Sequence, residues 1–226
     1  VSSHPPTPTR VVLLTGPSGS GKSSFAARSG LPVLCLDDFY KEAGDPTLPR
    51  VPGSSDVDWD SVESWDARAA VDAIVSLCEK GRTDVPVYDI STSSRVGAQP
   101  LRVGRTPLFV AEGIFAADIV AHCRELGLLA DALCLRGRPS TTFRRRLLRD
   151  LKEARKPVLF LLRRGWRLMR AERAIVARQV ALGAHACGKE EAMGRLAAAA
   201  GRCRPKGRDQ PRRPRAREQA ATRNGA

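Results

Sequence analysis

Short apolar bursts alternate with amphipathic stretches along the chain. Val11–Thr15 is a β-prone run that breaks at Gly16, and Ser24–Arg28 after it suits a helix. Val33–Leu36 is a second β-prone run; it ends at Asp37-Asp38-Phe39-Tyr40, and Pro46, Pro49, Pro52 and Gly53 then mark a loop. Val71, Ile74, Val75 and Cys78 repeat at i, i+3, i+4 and i+7, which predicts an amphipathic helix capped by Ser64 and stopped by Gly81. Val85–Ile90 and Leu101–Val103 predict a hairpin that projects from the sheet. Leu108–Ala111 and Ala132–Leu135 are runs of the buried-strand type, the first ending in Glu112-Gly113. Strands alternating with helices imply a parallel sheet covered by helices, an α/β fold.

Farther on, Phe143, Leu147 and Leu151 are spaced as one face of a helix over Ser140–Glu153, with Arg144, Arg145, Arg146 and Arg149 on the other face. A second helical stretch is expected over 157–182. Beyond Cys187 the periodicity fades, and alanine is the only aliphatic residue over 201–226. Such a composition buries too little apolar surface to offset chain entropy. The expected organisation is one folded domain over 1–186 and a basic, disordered tail over 187–226.

Charge changes this picture by its distribution. The chain of 226 residues has 38 Lys and Arg against 24 Asp and Glu, a net charge of +14. Residues 1–135 carry 12 basic and 17 acidic side chains, residues 136–186 carry 15 and 3, and residues 187–226 carry 11 and 4. A basic excess raises nucleic acid or phosphate ligands as partners. Aromatic residues make up only 5% of the chain and its N-terminal part is acidic, which leaves nonspecific polyanion contact by the tail as the expected limit of nucleic-acid binding. The six cysteines form no C-x-x-C pair and sit mostly in apolar runs, so they read as reduced core thiols. Val1–Arg10 is polar and proline-rich, and no apolar run approaches the ~20 residues of a membrane span, so a cytoplasmic location without membrane contact is expected.

The strongest chemical signal is Gly16-Pro17-Ser18-Gly19-Ser20-Gly21-Lys22-Ser23, a G-x-x-x-x-G-K-S loop between a strand and a helix, with Ser24 continuing it. Its glycines let backbone N–H groups turn toward a phosphate, the following helix adds its positive end, Lys22 reaches the outer phosphates, and Ser23 supplies a hydroxyl for Mg²⁺. ATP with magnesium is the expected ligand. Asp37 and Glu112 each follow a strand, where the ligand crevice of a parallel sheet lies. One such carboxylate is needed on the metal side and one near the acceptor hydroxyl to take its proton. Asp37 is the candidate base; Ser23, Glu112 and Asp37 are the candidate metal ligands. The bland alternative leaves Asp37 or Asp38 as a helix cap and Glu112 in a surface ion pair.

The loop, Asp37-Asp38-Phe39-Tyr40, Asp58-Trp59-Asp60, Pro86-Val87-Tyr88-Asp89, Glu112-Gly113-Ile114 and Arg145-Arg146-Leu147-Leu148-Arg149-Asp150 stand in the order seen in uridine kinases. The chain resembles that family, whose wider circle includes phosphoribulokinase, over roughly residues 10–156. The resemblance implies a three-layer P-loop kinase fold with a parallel core sheet, a substrate-binding insertion around 45–105 and an arginine-rich lid near 136–156. It implies transfer of the ATP γ-phosphoryl group to the 5′-hydroxyl of a nucleoside, uridine or cytidine, in a step of pyrimidine salvage. It assigns Asp37 as general base, Ser23 and Glu112 to magnesium, Asp60 and Tyr88 to the sugar and base, and Arg146 and Arg149 to the lid.

The sequence departs from the family at two places. Ala154 and Lys156 stand where arginines are expected, and Ser93 replaces a histidine five residues after the tyrosine that reads the pyrimidine edge. A serine hydroxyl makes one hydrogen bond, so the pocket should be looser for the base. Two alternatives stay open: a related kinase acting on another small hydroxylated metabolite, and a nucleotide-dependent nucleic-acid-binding protein.

Overall fold

The computed structural model describes residues 9–104, 106–137 and 172–203. Arg146, Arg149, most of the expected lid and the chain beyond 203 lie outside the described residues.

Five strands form one parallel sheet: β1 (Arg10–Thr15), β2 (Val33–Cys35), β5 (Leu108–Glu112), β6 (Leu129–Leu135) and β7 (His185–Cys187), in the order β2-β5-β1-β6-β7. Its central strand β1 is apolar without alternation because both of its faces are covered. Val11 and Leu13 point into one cluster with Leu34, Phe109, Ala111, Ile74, Leu77 and Val120. Val12 and Leu14 point into the other with Leu108, Val110, Leu133, Leu135 and Phe25. Helix α1 (Lys22–Arg28) covers the second face; α2 (Ala67–Lys80) and α3 (Val120–Glu125) cover the first. The result is three layers, as expected.

Helix α2 starts later than its sequence suggested. Its cap is Asp66, whose carboxylate accepts from the Ala69 N–H at 3.0 Å, and Ser64 instead closes a 3-10 turn. Trp65 separates the two, buried and donating its indole N–H to the Leu36 carbonyl at 2.7 Å. Gly81 ends the helix in the left-handed region, φ 70°, as its position implied. The hairpin of β3 (Arg82–Asp89) and β4 (Ser94–Arg102) follows, antiparallel and apart from the main sheet.

The expected end of folded structure at residue 186 requires correction. Residues 172–181 form helix α4, within the helical stretch expected over 157–182; past it β7 extends the sheet, and α5 (Lys189–Cys203) packs on it with Ala192, Leu196 and Ala199 buried. Those three sit at i, i+4 and i+7, a helical stripe whose small residues give little hydrophobic signal but allow close packing. Arg195 clamps α5 to β6 by two hydrogen bonds to Asp131, at 2.8 and 3.0 Å. All six cysteines are free, and among the described residues no helix is long and apolar enough to cross a membrane.

Candidate active site

The carboxyl ends of β1, β2 and β5 meet where the strand order turns about β1, and the candidate residues gather there. Gly16 leaves β1 at φ 143°, and a Cβ on it would overlap the Leu135 carbonyl oxygen, so no other residue fits. Gly19 and Gly21 also have positive φ, 82° and 93°, and with Pro17 and Ser18 they wrap the backbone around the mouth of α1. Lys22 is buried and its Nζ donates to the Gly16 carbonyl at 3.0 Å, which folds the side chain back over the loop. Ser23 and Ser24 open to solvent in the first turn of α1.

Glu112 ends β5 opposite this turn and is 5% exposed. Burial pushes its carboxyl up from the ordinary value of 4.5, against a hydrogen bond from Ser23 and the charge of Lys22, and with Asp37 and Asp38 adding to the rise. Glu112 is therefore buried beside the loop, which rules out the surface ion pair. Its Oε2 has no hydrogen-bond partner, and neither has the buried Ser20 hydroxyl. An ionised oxygen buried without a partner is costly, and a hard cation or its water removes that cost. Among the described residues no three His, Cys, Asp or Glu side chains form a closed metal cage. Ser23 and Glu112 therefore fit magnesium, which keeps several waters and takes phosphate oxygens with one or two carboxylates.

Asp37 sits on the 3-10 turn Leu36–Phe39 after β2, where its Oδ1 accepts the Ile114 N–H at 3.2 Å. Its neighbour Asp38 has a role that sequence reading missed. Asp38 is raised chiefly by burial, and it accepts hydrogen bonds from Cys35 and from the backbone of Tyr88, which joins the hairpin to the turn. Cys35 itself is pushed up to about 12, by burial first and by the three carboxylates around it.

A second group of residues flanks Asp37. Tyr40 packs its ring against Trp59, Tyr88 and Phe115, with centroids 6.0, 5.9 and 6.0 Å away. Burial raises its phenol, and the charges of Asp37 and Asp60 raise it further, so both carboxylates lie near one ring. Tyr88 donates its hydroxyl to the Lys41 carbonyl at 3.0 Å. Ser93 is hydrogen-bonded to Tyr88 across the hairpin turn, at φ 50°, and its carbonyl accepts the Ala43 N–H at 2.9 Å. Tyr88 is thus a member of this aromatic group, Asp60 lies near its Tyr40 ring, and Ser93 adjoins Tyr88. Tyr40 and Trp59 belong to motifs that carry the resemblance, whereas Phe115 gave no signal beyond hydrophobicity, because it follows β5 and meets Tyr40 from 75 residues along the chain.

No family model matches the chain. Uridine kinase of Saccharomyces cerevisiae is 31% identical over 113 residues, 47% of this chain and 22% of that protein. The inorganic pyrophosphatase TTM1 of Arabidopsis thaliana is 31% identical over 111 residues, 47% of this chain and 16% of that protein. The chain spans less than a quarter of the length of these curated relatives. Among solved structures, a candidate fructose transport system kinase from Silicibacter sp. TM1040 matches with a TM-score of 0.54 at 18% identity, covering 78% of this chain and 88% of that one. The yeast uridine kinase match bears out the resemblance to uridine kinases, and the solved structure bears out the α/β P-loop kinase fold.

Proposed function

We propose that the chain is an ATP- and Mg²⁺-dependent kinase that transfers the γ-phosphoryl group to a hydroxyl of a small molecule, with the 5′-hydroxyl of uridine or cytidine as acceptor. The observation that carries the proposal is the buried, unpartnered Oε2 of Glu112, beside Ser23 and Lys22 and across from Asp37. A carboxylate so placed has a use if a cation and phosphates complete it.

In this reading the loop N–H groups and Lys22 hold the ATP phosphates, and Ser23 and Glu112 hold the metal. Magnesium, when bound, offsets charge on the phosphate oxygens. Asp37 takes the acceptor's proton as that oxygen bonds to the γ-phosphorus and the bond to the β-phosphate oxygen breaks, leaving ADP. The Ile114 N–H aims Asp37. Catalysis is positional and electrostatic, with no covalent enzyme intermediate. Arg146 and Arg149 are proposed to stabilise charge from the lid. The soluble, cytoplasmic setting of pyrimidine salvage belongs to the same proposal.

Tyr40, Trp59 and Tyr88 form an aromatic wall, and Asp60 has two oxygens suited to ribose hydroxyls. A specific observation favours a second reading, a kinase for another hydroxylated metabolite: Tyr88 engages its hydroxyl with the Lys41 carbonyl, and Ser93 replaces the base-reading histidine. The experiment is ADP release and kcat/KM across uridine, cytidine, adenosine, 2′-deoxyuridine and D-fructose. Turnover of uridine and cytidine with weak discrimination, and a clear penalty for 2′-deoxyuridine, is expected. Turnover of fructose alone would replace the nucleoside with the second reading.

A further inference from the structure

Gln179 is a polar residue the proposed reaction does not use, yet it is 3% exposed. It lies on α4, and both ends of its amide are engaged. Its Oε1 accepts from the Cys134 thiol at 3.1 Å, and its Nε2 donates to the Ile114 carbonyl at 3.3 Å. The same carbonyl accepts from the Thr15 hydroxyl at 3.2 Å, while the Ile114 N–H donates to Asp37 at 3.2 Å. Ile114 is thus held on both sides, its carbonyl tied to β1 and α4 and its N–H directed at the carboxylate.

A buried amide is costly unless bonded, and an apolar side chain of similar volume would fill the space without that cost. Thr15 already satisfies the Ile114 carbonyl, so completeness of hydrogen bonding does not require a second donor there. What the second donor adds is direction. The geometry points to Gln179 as a positioning residue: through Ile114 it holds the Asp37 carboxylate where it meets the acceptor hydroxyl. The inference rests on the reading of Asp37 as base and supplies what keeps that base in place. Such groups must be held within about 0.5 Å, and supporting residues behind them do this.

The test uses the full chain with Gln179→Leu, which keeps the volume and removes both hydrogen bonds. Gln179→Glu accompanies it, keeping an acceptor for Cys134 and losing the donor toward Ile114. With MgATP and uridine, each lowers kcat about 10-fold or more while KM for ATP stays near that of the unaltered chain. In an Asp37→Asn background, Gln179→Leu lowers kcat less than about 2-fold further, because the group it positions is gone. A second readout needs no turnover. The exchange rate of the Ile114 amide proton, measured by NMR, rises about 10-fold or more in Gln179→Leu and in Asp37→Ala, while the Val110 and Leu133 amides keep theirs. Unchanged exchange at Ile114 in Gln179→Leu overturns the inference, as do kcat losses that multiply in the double variant. If the unaltered chain transfers phosphate to no alcohol, the proposed function falls, and the Ile114 exchange still decides whether Gln179 sets that contact.

Discussion

Gly113→Ala is the smallest change that should separate phosphate binding from catalysis. A Cβ at Gly113 would stand 2.7 Å from the Leu36 Cβ and 3.0 Å from Asp37 Oδ1. Carbon atoms rest at about 3.5–4.0 Å, so room of roughly 1 Å must be made. The end of β5 cannot give way easily, because the Gly113 N–H is bonded to the Leu14 carbonyl of the central strand at 3.1 Å. The turn Leu36–Phe39 moves instead and carries Asp37 off the Ile114 N–H. A displacement of that size costs about 10²-fold in kcat, or about 2.7 kcal/mol of transition-state stabilisation. Overpacking lowers stability by about 1–3 kcal/mol as well. The phosphate loop is untouched, so MgADP affinity by calorimetry stays within a few-fold. The assay is kcat and KM with uridine, beside urea denaturation. A variant with kcat within about 2-fold of the unaltered chain would refute the claim that the Glu112-Gly113-Ile114 corner positions the base.

Other changes test the remaining assignments. Lys22→Ala and Asp37→Asn each lower kcat by at least ~10²-fold, but only the first also weakens MgATP binding by calorimetry. Leu196→Ala lowers the unfolding free energy by about 2–4 kcal/mol in urea titration, since Leu196 is buried between α5 and the sheet; no loss would mean that α5 does not belong to the core. Because Glu112 is raised in the folded state, the metal-free protein loses stability as pH rises from 4.5 through the folded-state value. Glu112→Gln flattens that slope in thermal melts, and stabilisation by MgADP, which needs the ionised carboxylate, grows over the same range. Ser93→His sharpens the preference for uridine over adenosine in kcat/KM if the hairpin turn faces the base.

The site was legible where its chemistry is contiguous in sequence. Gly16–Ser23 declares itself because every phosphate-facing group comes from one short loop, and Glu112 because an acid directly after an apolar strand must lie at the sheet's ligand edge. Helix α5 was lost to composition: an alanine stripe among arginines looks like a tail until Ala192, Leu196 and Ala199 meet the sheet. Strand β7 has three residues, too few to show a period. The cap of α2 shifted from Ser64 to Asp66 because Trp65 is drawn into the core. Gln179 carried no local signal, since its partners Cys134 and Ile114 lie 45 and 65 residues away.

The central claim is that a γ-phosphoryl group moves from ATP to an alcohol at this site. ³¹P NMR of the purified chain with MgATP and uridine reads it directly, because it identifies the phosphorus-containing products. ADP and uridine 5′-monophosphate are expected to grow together, with both lost when magnesium is chelated. Growth of inorganic phosphate or consumption of added pyrophosphate, with no phosphomonoester formed on uridine or any other alcohol supplied, would contradict it.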